Sequence, residues 1–438
     1  MLALIAIPFA VASVLLLMLL IDVLVRRADV TAALVIGSTL VDAFFADAVP
    51  SLTLPHDIRL GSTDIVATLV LCAAFARLLR TRRFSVFQRW LIFLVILLIY
   101  SLARGVIAFG IQTSLSDFRL MEFWIAAAVY FATVPPSPLV YDRIAKLWVW
   151  MTVPLMAIVV ARWLSVFAGI DVGVPGERFG ADATIRVLNG PYTFFLAQGF
   201  ILALPFWRQD RRERPMRIVS ILLLLFVVLL DRRTAWVALL AGIVTLIFHD
   251  RRLGRRAALA VLTTFGVVIG AYYTVQTAVT SGDPIAQADN TGSVAWRIEG
   301  WAVLISQWAK SSMNWFTGEP FGAGFLRVVE GSNVVAGPHN FYVEMLLRTG
   351  IAGLLALFAL TAGLLIATWR KSMPDAGVFG SGVLAALLMM QLVWFVTWTP
   401  GIEQGIVTGI AISLAAYAAE KTPLSQPRER SLDSRSAG

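Results

Sequence analysis

Long apolar stretches alternate with short polar breaks along almost the whole chain. A helix needs about 20 such residues to cross the roughly 30 Å hydrocarbon core of a bilayer, so each long stretch predicts a membrane-spanning helix. The first span lacks a small-residue cleavage pattern, which predicts a retained helix rather than a removable signal. We predict an all-α polytopic membrane helix bundle of about 12–13 transmembrane helices. The candidate spans are 2–25, 30–49, 64–79, 87–110, 115–134, 144–168, 184–207, 216–230, 234–249, 257–279, 340–369, 377–399 and 402–419.

The composition agrees with this pattern and narrows the class of protein. Hydrophobic residues make up 58% of the 438 positions and charged residues only 14%, with a mean hydropathy of +0.79. Soluble domains average about 25% charged residues, so a soluble enzyme and a disordered chain are excluded. The single cysteine, Cys72, excludes a disulfide scaffold. The net charge of +9 comes from basic residues in short connectors, so it does not indicate nucleic-acid binding.

The charged connectors predict an orientation. Arginine clusters occur in alternate connectors and favour the cytoplasmic side. The breaks at 51–61, 169–183 and 280–338 then face outward, and 280–338 is the longest of them. We predict one membrane domain over residues 1–420, with 280–338 as an extracytoplasmic loop that contains amphipathic helices. Residues 421–438, rich in Ser, Pro and Arg, are predicted to be a disordered cytoplasmic tail.

Ionisable residues away from the cytoplasmic connectors carry the functional information, because each is costly in a membrane unless paired or hydrated. Asp231, Arg232 and Arg233 interrupt two apolar runs on the predicted outer side. Two arginines there oppose the orientation rule, which predicts a compensating role. A guanidinium offers paired donors and keeps its proton, so it suits a phosphate ligand. The alternative is that one or both side chains extend to lipid headgroup phosphates.

The outer loop 280–338 is long enough to be functional in its own right. Trp301, Leu304 and Trp308 recur in it at helical spacing, which predicts an amphipathic helix on the membrane face, anchored by indole rings. Arg297 lies one turn before Trp301 and is expected at headgroup depth. Stacking of a sugar on Trp301 is the alternative to membrane anchoring.

The end of this loop combines glycines with a histidine. Gly322 and Gly324 allow the backbone to approach a ligand closely. Pro338 is a helix-start signal, so His339 is expected at a helix N-terminus on the outer surface. The positive end of a helix favours a neutral imidazole, which can accept a proton from a hydroxyl nucleophile. The alternative is an interfacial histidine that makes one hydrogen bond.

Asn340, Glu344 and Arg348 are spaced four apart in an otherwise apolar helix, so they share one face. The spacing predicts an ion pair between Glu344 and Arg348. The stripe is either a buried structural pair or the lining of a polar cavity that contacts substrate. The same two interpretations apply to Asp117, Arg119 and Glu122.

Motifs for several other chemistries are missing from the sequence. No Asp-x-Asp element, Gly-rich Walker loop or Cys/His cluster occurs, so we expect neither a metal nor another cofactor. A positive outer pocket with one histidine suits a substrate that already carries an activated, negatively charged leaving group.

The run from His339-Asn340 to Gly350-Ile351-Ala352-Gly353 resembles the signature of the bacterial O-antigen ligase and O-antigen polymerase superfamily. In that superfamily a His-Asn pair opens a membrane helix after a long periplasmic loop, and a Gly-Ile/Leu-x-Gly element follows. Many members carry an acidic residue just before the Gly-Ile step, where this chain has Arg348-Thr349. The further matches are Arg233-Thr234 for an Arg-Ser/Thr element, Arg297 with Trp301 for a loop arginine before a tryptophan, Gly322 and Gly324 for a Gly-x-Gly return, and Arg186 with Asn189-Gly190-Pro191 for an upstream element.

The resemblance implies a metal-independent membrane glycosyltransferase of the GT-C type, in the bacterial inner membrane with its active site facing the periplasm or cell exterior. The implied donor is a glycan on undecaprenyl pyrophosphate, and the implied acceptor is a hydroxyl of a saccharide chain or of the lipid A core. In this interpretation Arg233 and Arg297 bind the pyrophosphate and stabilise its developing charge, and His339 positions or deprotonates the acceptor hydroxyl. The implied substrate-binding residues are Arg232, Arg186, Asn340, Glu344, Arg348, Trp301, Gly322 and Gly324.

Two alternatives stay open at this point. A ligase and a polymerase share this chemistry and differ only in the acceptor. A secondary transporter or a flippase of a lipid-linked or anionic saccharide would use the same arginines to bind substrate during alternating access. Such a protein is expected to show mid-membrane charges in several helices and pseudo-symmetric halves.

Overall fold

The computed structural model describes residues 2–45, 51–54, 58–80, 84–168, 187–208, 214–249, 266, 291–329, 332–370 and 377–420. Helices dominate these residues, and the strands among them form two short antiparallel hairpins, β1 (Leu52–Leu54) with β2 (Ile58–Leu60) and β3 (Arg327–Val329) with β4 (Ser332–Val334). The helices are α1 (Leu2–Arg26), α2 (Ala28–Phe45), α3 (Ser62–Arg80), α4 (Val86–Phe109), α5 (Ile111–Ala132), α6 (Pro138–Phe167), α7 (Gly190–Ala203), α8 (Arg214–Leu229), α9 (Arg233–His249), α10 (Thr291–Ala309), α11 (Ser312–Thr317), α12 (Phe341–Arg370), α13 (Ser381–Trp394) and α14 (Ile402–Glu420).

The all-α membrane architecture predicted from the hydrophobic pattern is confirmed. Every predicted span corresponds to a helix except 257–279, which apart from residue 266 lies outside the described residues. Arg186 and the predicted tail 421–438 also lie outside them. Apolar side chains on the outer faces are exposed, as expected for contact with lipid; Ile96 and Ile99 on α4 are examples. The described helices that are long and apolar enough to cross a membrane are Ala28–Phe45, Ser62–Arg80, Val86–Phe109, Pro138–Ser165, Phe341–Arg370 and Ile402–Ala419.

Two predicted spans are shorter in the structure than in the sequence analysis. The span 184–207 becomes α7 only at Gly190, because Asn189 caps the helix and Pro191 lies in its first turn. The span 377–399 contains α13, which ends at Trp394, and the chain then leaves the helical conformation. The residues that follow Trp394 therefore lie outside the helix, where their side chains can line a site.

Helices α5 and α14 pack closely in the interior of the bundle. A Cβ atom built on Gly405 would lie 2.5 Å from the carbonyl oxygen of Trp124, and one built on Gly409 would lie 2.7 Å from that of Ala128. The two backbones are thus in direct contact, a packing mode that small residues make possible between membrane helices.

Helix α12 is interrupted at Gly350, which has φ 69° and ψ −169°. The predicted continuous helix over 340–369 is therefore two helical segments that meet at a kink. The break releases the carbonyl of Leu347, which accepts a 2.6 Å hydrogen bond from the Glu319 amide. Helix α11 packs into the kink, since a Cβ on Gly350 would lie 2.7 Å from the Phe316 oxygen.

The amphipathic helix predicted in the outer loop is α10, but its apolar face does not lie on the membrane. Leu304 and Trp308 are buried in a small cluster with Phe325, Val343 and Leu347. The returning loop and the first turns of α12 thus cover this face. The predicted membrane anchoring of Trp308 is wrong because tertiary packing buries the indole.

Candidate active site

His339 lies immediately before helix α12. Its φ of 49° is in the left-handed region, which costs free energy for a residue with a side chain and occurs often at functional sites. Asn340 caps the helix, because its Oδ1 accepts a 3.1 Å hydrogen bond from the Val343 amide. The predicted position of His339 at a helix N-terminus is therefore confirmed.

An aromatic column ends at the imidazole of His339. Its ring centroid lies 5.6 Å from that of Trp398, with the ring planes 67° apart. Trp398 stacks on Trp394, with centroids 5.6 Å apart and planes at 8°. Trp394 stacks in turn on Phe194, with centroids 4.5 Å apart and planes at 3°. The column connects the histidine to the buried core of α7 and α13.

The start of α7 links this column to the predicted arginines. A Cβ on Gly190 would lie 2.6 Å from the indole of Trp398. Two residues earlier, the carbonyl of Leu188 accepts hydrogen bonds from Nε and Nη2 of Arg232, at 3.4 and 3.2 Å. Arg232 and His339 therefore belong to one end of the bundle, joined through Leu188, Gly190 and Trp398.

Arg233 begins helix α9 and its side chain is exposed. Asp231, two residues before Arg233, has φ 47°, so a tight turn separates α8 from α9. An exposed guanidinium at the positive end of a helix is an arrangement that attracts anions. The structure thus places Arg233 where an anionic ligand can reach it, beside Arg232.

Helix α10 approaches His339 from the loop side. The indole Nε1 of Trp301 donates a 2.6 Å hydrogen bond to the carbonyl of Pro338, the residue before His339. Arg297 lies one turn earlier on α10, on the same helical face, and is half-buried. The loop helix that carries Arg297 is therefore hydrogen-bonded, through Trp301, to the segment that carries the histidine.

Gly322 and Gly324 both have positive φ, at 93° and 72°, as their predicted turn role requires. The Gly322 amide donates a 2.8 Å hydrogen bond to Oδ2 of Asp117 on α5. The carbonyl of Gly324 accepts a 3.2 Å hydrogen bond from Nη2 of Arg348. This part of the loop is therefore fastened to the bundle by charged side chains.

Asn340, Glu344 and Arg348 face the protein interior, with 6%, 4% and 0% of their surface exposed. The ion pair of Arg348 among the described residues is with Asp117, at 2.5 Å between Nη2 and Oδ2. The predicted intrahelical pair with Glu344 is therefore wrong. The guanidinium reaches across to α5 instead, and it also donates to the carbonyl of Pro320, at 3.1 Å. Substrate-binding roles for these three residues stay predictions.

The structure adds a buried arginine that sequence reasoning missed. Arg327 is 2% exposed, and its Nη1 donates to the carbonyls of Phe325 and Ala336 at 3.2 and 2.6 Å. Its guanidinium lies 5.5 Å from the ring centroid of Trp296 and packs on Gly300 of α10. Burial lowers the pKa of Arg327. A single arginine within the otherwise apolar run 325–329 was the available sequence signal for this contact between the hairpin and α10.

Trp398 is the second missed residue. It lies in the predicted apolar span 377–399, and the available signal was the Trp-Thr-Pro-Gly run that begins at this tryptophan. Such a run is a turn signal. In the structure the helix ends at Trp394, earlier than the predicted span, and the indole of Trp398 lies against His339.

Residues 218–359 match a protein-family model described as O-antigen ligase. The match covers roughly a third of the chain, from α8 into α12, and includes Arg232, Arg233, Arg297 and His339. No curated protein sequence matches the chain. The family match confirms the resemblance to the O-antigen ligase and polymerase superfamily. Together with the apolar helices, it supports an enzymatic, glycosyltransferase-like ligase or polymerase role for a multi-pass membrane protein.

Proposed function

We propose that this protein transfers a glycan from undecaprenyl pyrophosphate to a hydroxyl group of a saccharide or of the lipid A core, at the extracytoplasmic face of the bacterial inner membrane. The observation that carries the proposal is the connection of Arg232 to His339 through Leu188, Gly190 and Trp398. This connection joins two of the residues nominated from the sequence, and it supports a site at this end of the bundle.

The arginines supply the charge that such a reaction needs. A pyrophosphate leaving group gains negative charge as the glycosyl bond breaks, and fixed guanidinium donors stabilise that charge. Arg233 is exposed at the start of α9, and Arg297 lies one turn before Trp301, whose indole contacts Pro338. We assign both to the pyrophosphate. Because the guanidinium groups provide the cationic charge, the reaction is proposed to proceed without a metal.

His339 is proposed to act on the acceptor. The acceptor oxygen attacks the anomeric carbon while the bond from that carbon to the pyrophosphate oxygen breaks. The hydroxyl proton passes to the imidazole, and undecaprenyl pyrophosphate leaves with the bonding electron pair. A single direct displacement inverts the anomeric configuration. The proton then returns to solvent, which regenerates neutral His339.

The test is transfer by the purified protein in liposomes, with an undecaprenyl-pyrophosphate glycan, EDTA and no nucleotide. Two acceptors are offered separately, lipid A core and a second copy of the lipid-linked glycan, so that ligase and polymerase activities are distinguished. We expect transfer by the wild type and its loss in His339→Ala and Arg297→Ala. Movement of the intact donor across the bilayer without covalent transfer would instead support a flippase.

His249→Ala is the matched control. His249 ends helix α9, and its Nε2 lies 2.9 Å from the hydroxyl of Ser381. Since α9 begins at Arg233, this imidazole is about 24 Å along the helix from the proposed site. Transfer is expected to continue in this variant, which would show that removing a histidine as such does not inactivate the enzyme.

A further inference from the structure

Trp398 differs from the other rings of the aromatic column. Trp394 and Phe194 are 1% and 0% exposed, as core residues are, whereas Trp398 is half-buried and lies after the end of α13. Its indole is nevertheless held on two sides, by the stacked ring of Trp394 and by the backbone at Gly190. The result is a rigid wall whose remaining neighbour in the column is the imidazole of His339.

His339 lies outside the helices and strands, so regular secondary structure does not fix the orientation of its imidazole. The residue precedes the helix cap Asn340 and has φ 49°, so the side-chain constraints of a helix do not apply to it. The edge-to-face contact with Trp398, at 5.6 Å and 67°, is a geometry that aromatic pairs favour. It restricts the rotation of the imidazole about its side-chain torsions.

We propose that Trp398 is a positioning residue, which keeps the imidazole of His339 in the orientation that receives the acceptor proton. This proposal rests on the transfer reaction proposed above. Effective proton transfer requires the imidazole nitrogen within hydrogen-bond reach of the acceptor hydroxyl. Since a misplacement of about 1 Å can lower a rate about 100-fold, a wall that fixes the ring has a direct effect on turnover.

The kinetic test compares Trp398→Leu with Trp398→Phe. Leucine removes the aromatic wall, and we expect kcat to fall about 10- to 100-fold with an unchanged KM for the donor. Phenylalanine keeps a ring and is expected to restore most of the lost kcat. Gly190→Ala keeps the indole but displaces it, because the new Cβ would lie 2.6 Å from it, and kcat is expected to fall here too.

Trp369→Leu is the matched control. Trp369 makes the same kind of contact with His249, with centroids 5.4 Å apart and planes at 75°. The pair involves the last turns of α9 and α12, away from the proposed site. This variant loses an indole–imidazole contact of similar geometry, and its kcat is expected to equal that of the wild type.

A second readout does not depend on transfer. Diethyl pyrocarbonate modifies accessible imidazoles, and peptide mass spectrometry measures its rate at His339 and at His249 separately. In Trp398→Leu we expect faster modification of His339 and an unchanged rate at His249. Wild-type kcat with a wild-type modification rate would overturn the positioning role, and so would equal losses of kcat in the Leu and Phe variants.

The two readouts separate the two proposals. If the wild type transfers no glycan, the proposed function fails, and the modification rate alone decides whether Trp398 restrains the imidazole. If the wild type transfers glycan but Trp398→Leu matches it in both readouts, only the positioning role fails. A variant that does not elute as a folded protein is replaced in the comparison by Gly190→Ala, which retains every aromatic ring.

Discussion

Arg348 on α12 and Asp117 on α5 form an ion pair with 2.5 Å between Nη2 and Oδ2. The same two side chains bind the returning loop, since Asp117 accepts from the Gly322 amide and Arg348 donates to the carbonyls of Pro320 and Gly324. The guanidinium also lies 4.2 Å from the ring centroid of Phe325. One buried pair therefore joins two membrane helices to the loop that follows α10.

Asp117→Asn is expected to destabilise the protein. It leaves the buried guanidinium of Arg348 without its counterion, and breaking a buried pair in this way costs about 3 kcal/mol or more. Thermal unfolding in detergent measures the effect. The double variant Asp117→Leu with Arg348→Met removes both charges and is expected to recover part of the loss. An Asp117→Asn protein as stable as the wild type would contradict the structural role assigned to the pair.

Gly350→Ala is expected to disturb the kink of α12. Alanine is strained at φ 69°, and its Cβ would lie 2.7 Å from the Phe316 oxygen, so either α11 moves or the helix changes course. The expected loss in the free energy of unfolding is about 1–3 kcal/mol. Protease cleavage in the segment 312–324 is expected to become faster.

Gly37→Ala serves as the control for this substitution. Gly37 lies within α2, and a Cβ there meets no atom within 4 Å. Alanine is favoured over glycine inside a helix by about 0.5–1 kcal/mol, so this variant is expected to be as stable as the wild type or more so. Equal destabilisation by the two substitutions would mean that the conformation of Gly350 has no special importance.

The sequence predicted the bundle and the end of it that carries the candidate site, because membrane physics acts on local composition. Arg232, Arg233 and His339 stand out as polar residues at the limits of apolar runs, and helices of similar length bring such limits together. The structure joins Arg232 and His339 through intervening residues at one end of the bundle. The shared location of Arg232 and His339 therefore follows from the limits of the apolar runs, without any information on side-chain packing.

Contacts between different helices could not be predicted in the same way. Spacing along α12 favours Glu344 as the partner of Arg348, but the partner in the structure is Asp117, which no local pattern connects to it. Gly350 lies in an apolar run that predicts an unbroken helix, and the kink becomes understandable only with α11 packed against it. Trp398 was missed for the same reason, since its neighbour His339 lies on a distant segment.

Glu319 makes the stability of the loop dependent on pH. Burial raises the pKa of Glu319, although the charge of Arg348 opposes the shift. A carboxyl with a raised folded-state pKa favours the native state most when protonated, so this contribution is present at low pH and is lost as pH rises through the folded pKa. Glu319→Gln is therefore expected to have a higher Tm than the wild type at neutral pH. The difference is expected to disappear below the ordinary glutamate pKa, and a difference that grows on acidification would contradict the assignment.

Arg297 provides a test of how the pyrophosphate is bound. Lysine keeps the positive charge but loses the planar fork that donates two parallel hydrogen bonds, and alanine loses both. We expect Arg297→Ala to lower kcat/KM for the donor about 100- to 1,000-fold, in line with the loss of one group that stabilises transition-state charge. Arg297→Lys is expected to fall between alanine and the wild type, because the charge remains. Product inhibition by undecaprenyl pyrophosphate is expected to weaken in the same order.

Arg89→Ala is the control for these arginine variants. Arg89 is exposed in the first turn of α4, beside Trp90 and Phe93, on the predicted cytoplasmic side. Its loss removes one positive charge from the protein without altering the predicted outer face, so donor kinetics are expected to stay unchanged. If Arg89→Ala and Arg297→Ala lowered kcat/KM equally, the effect would come from net charge, and a specific contact between Arg297 and the pyrophosphate would be refuted.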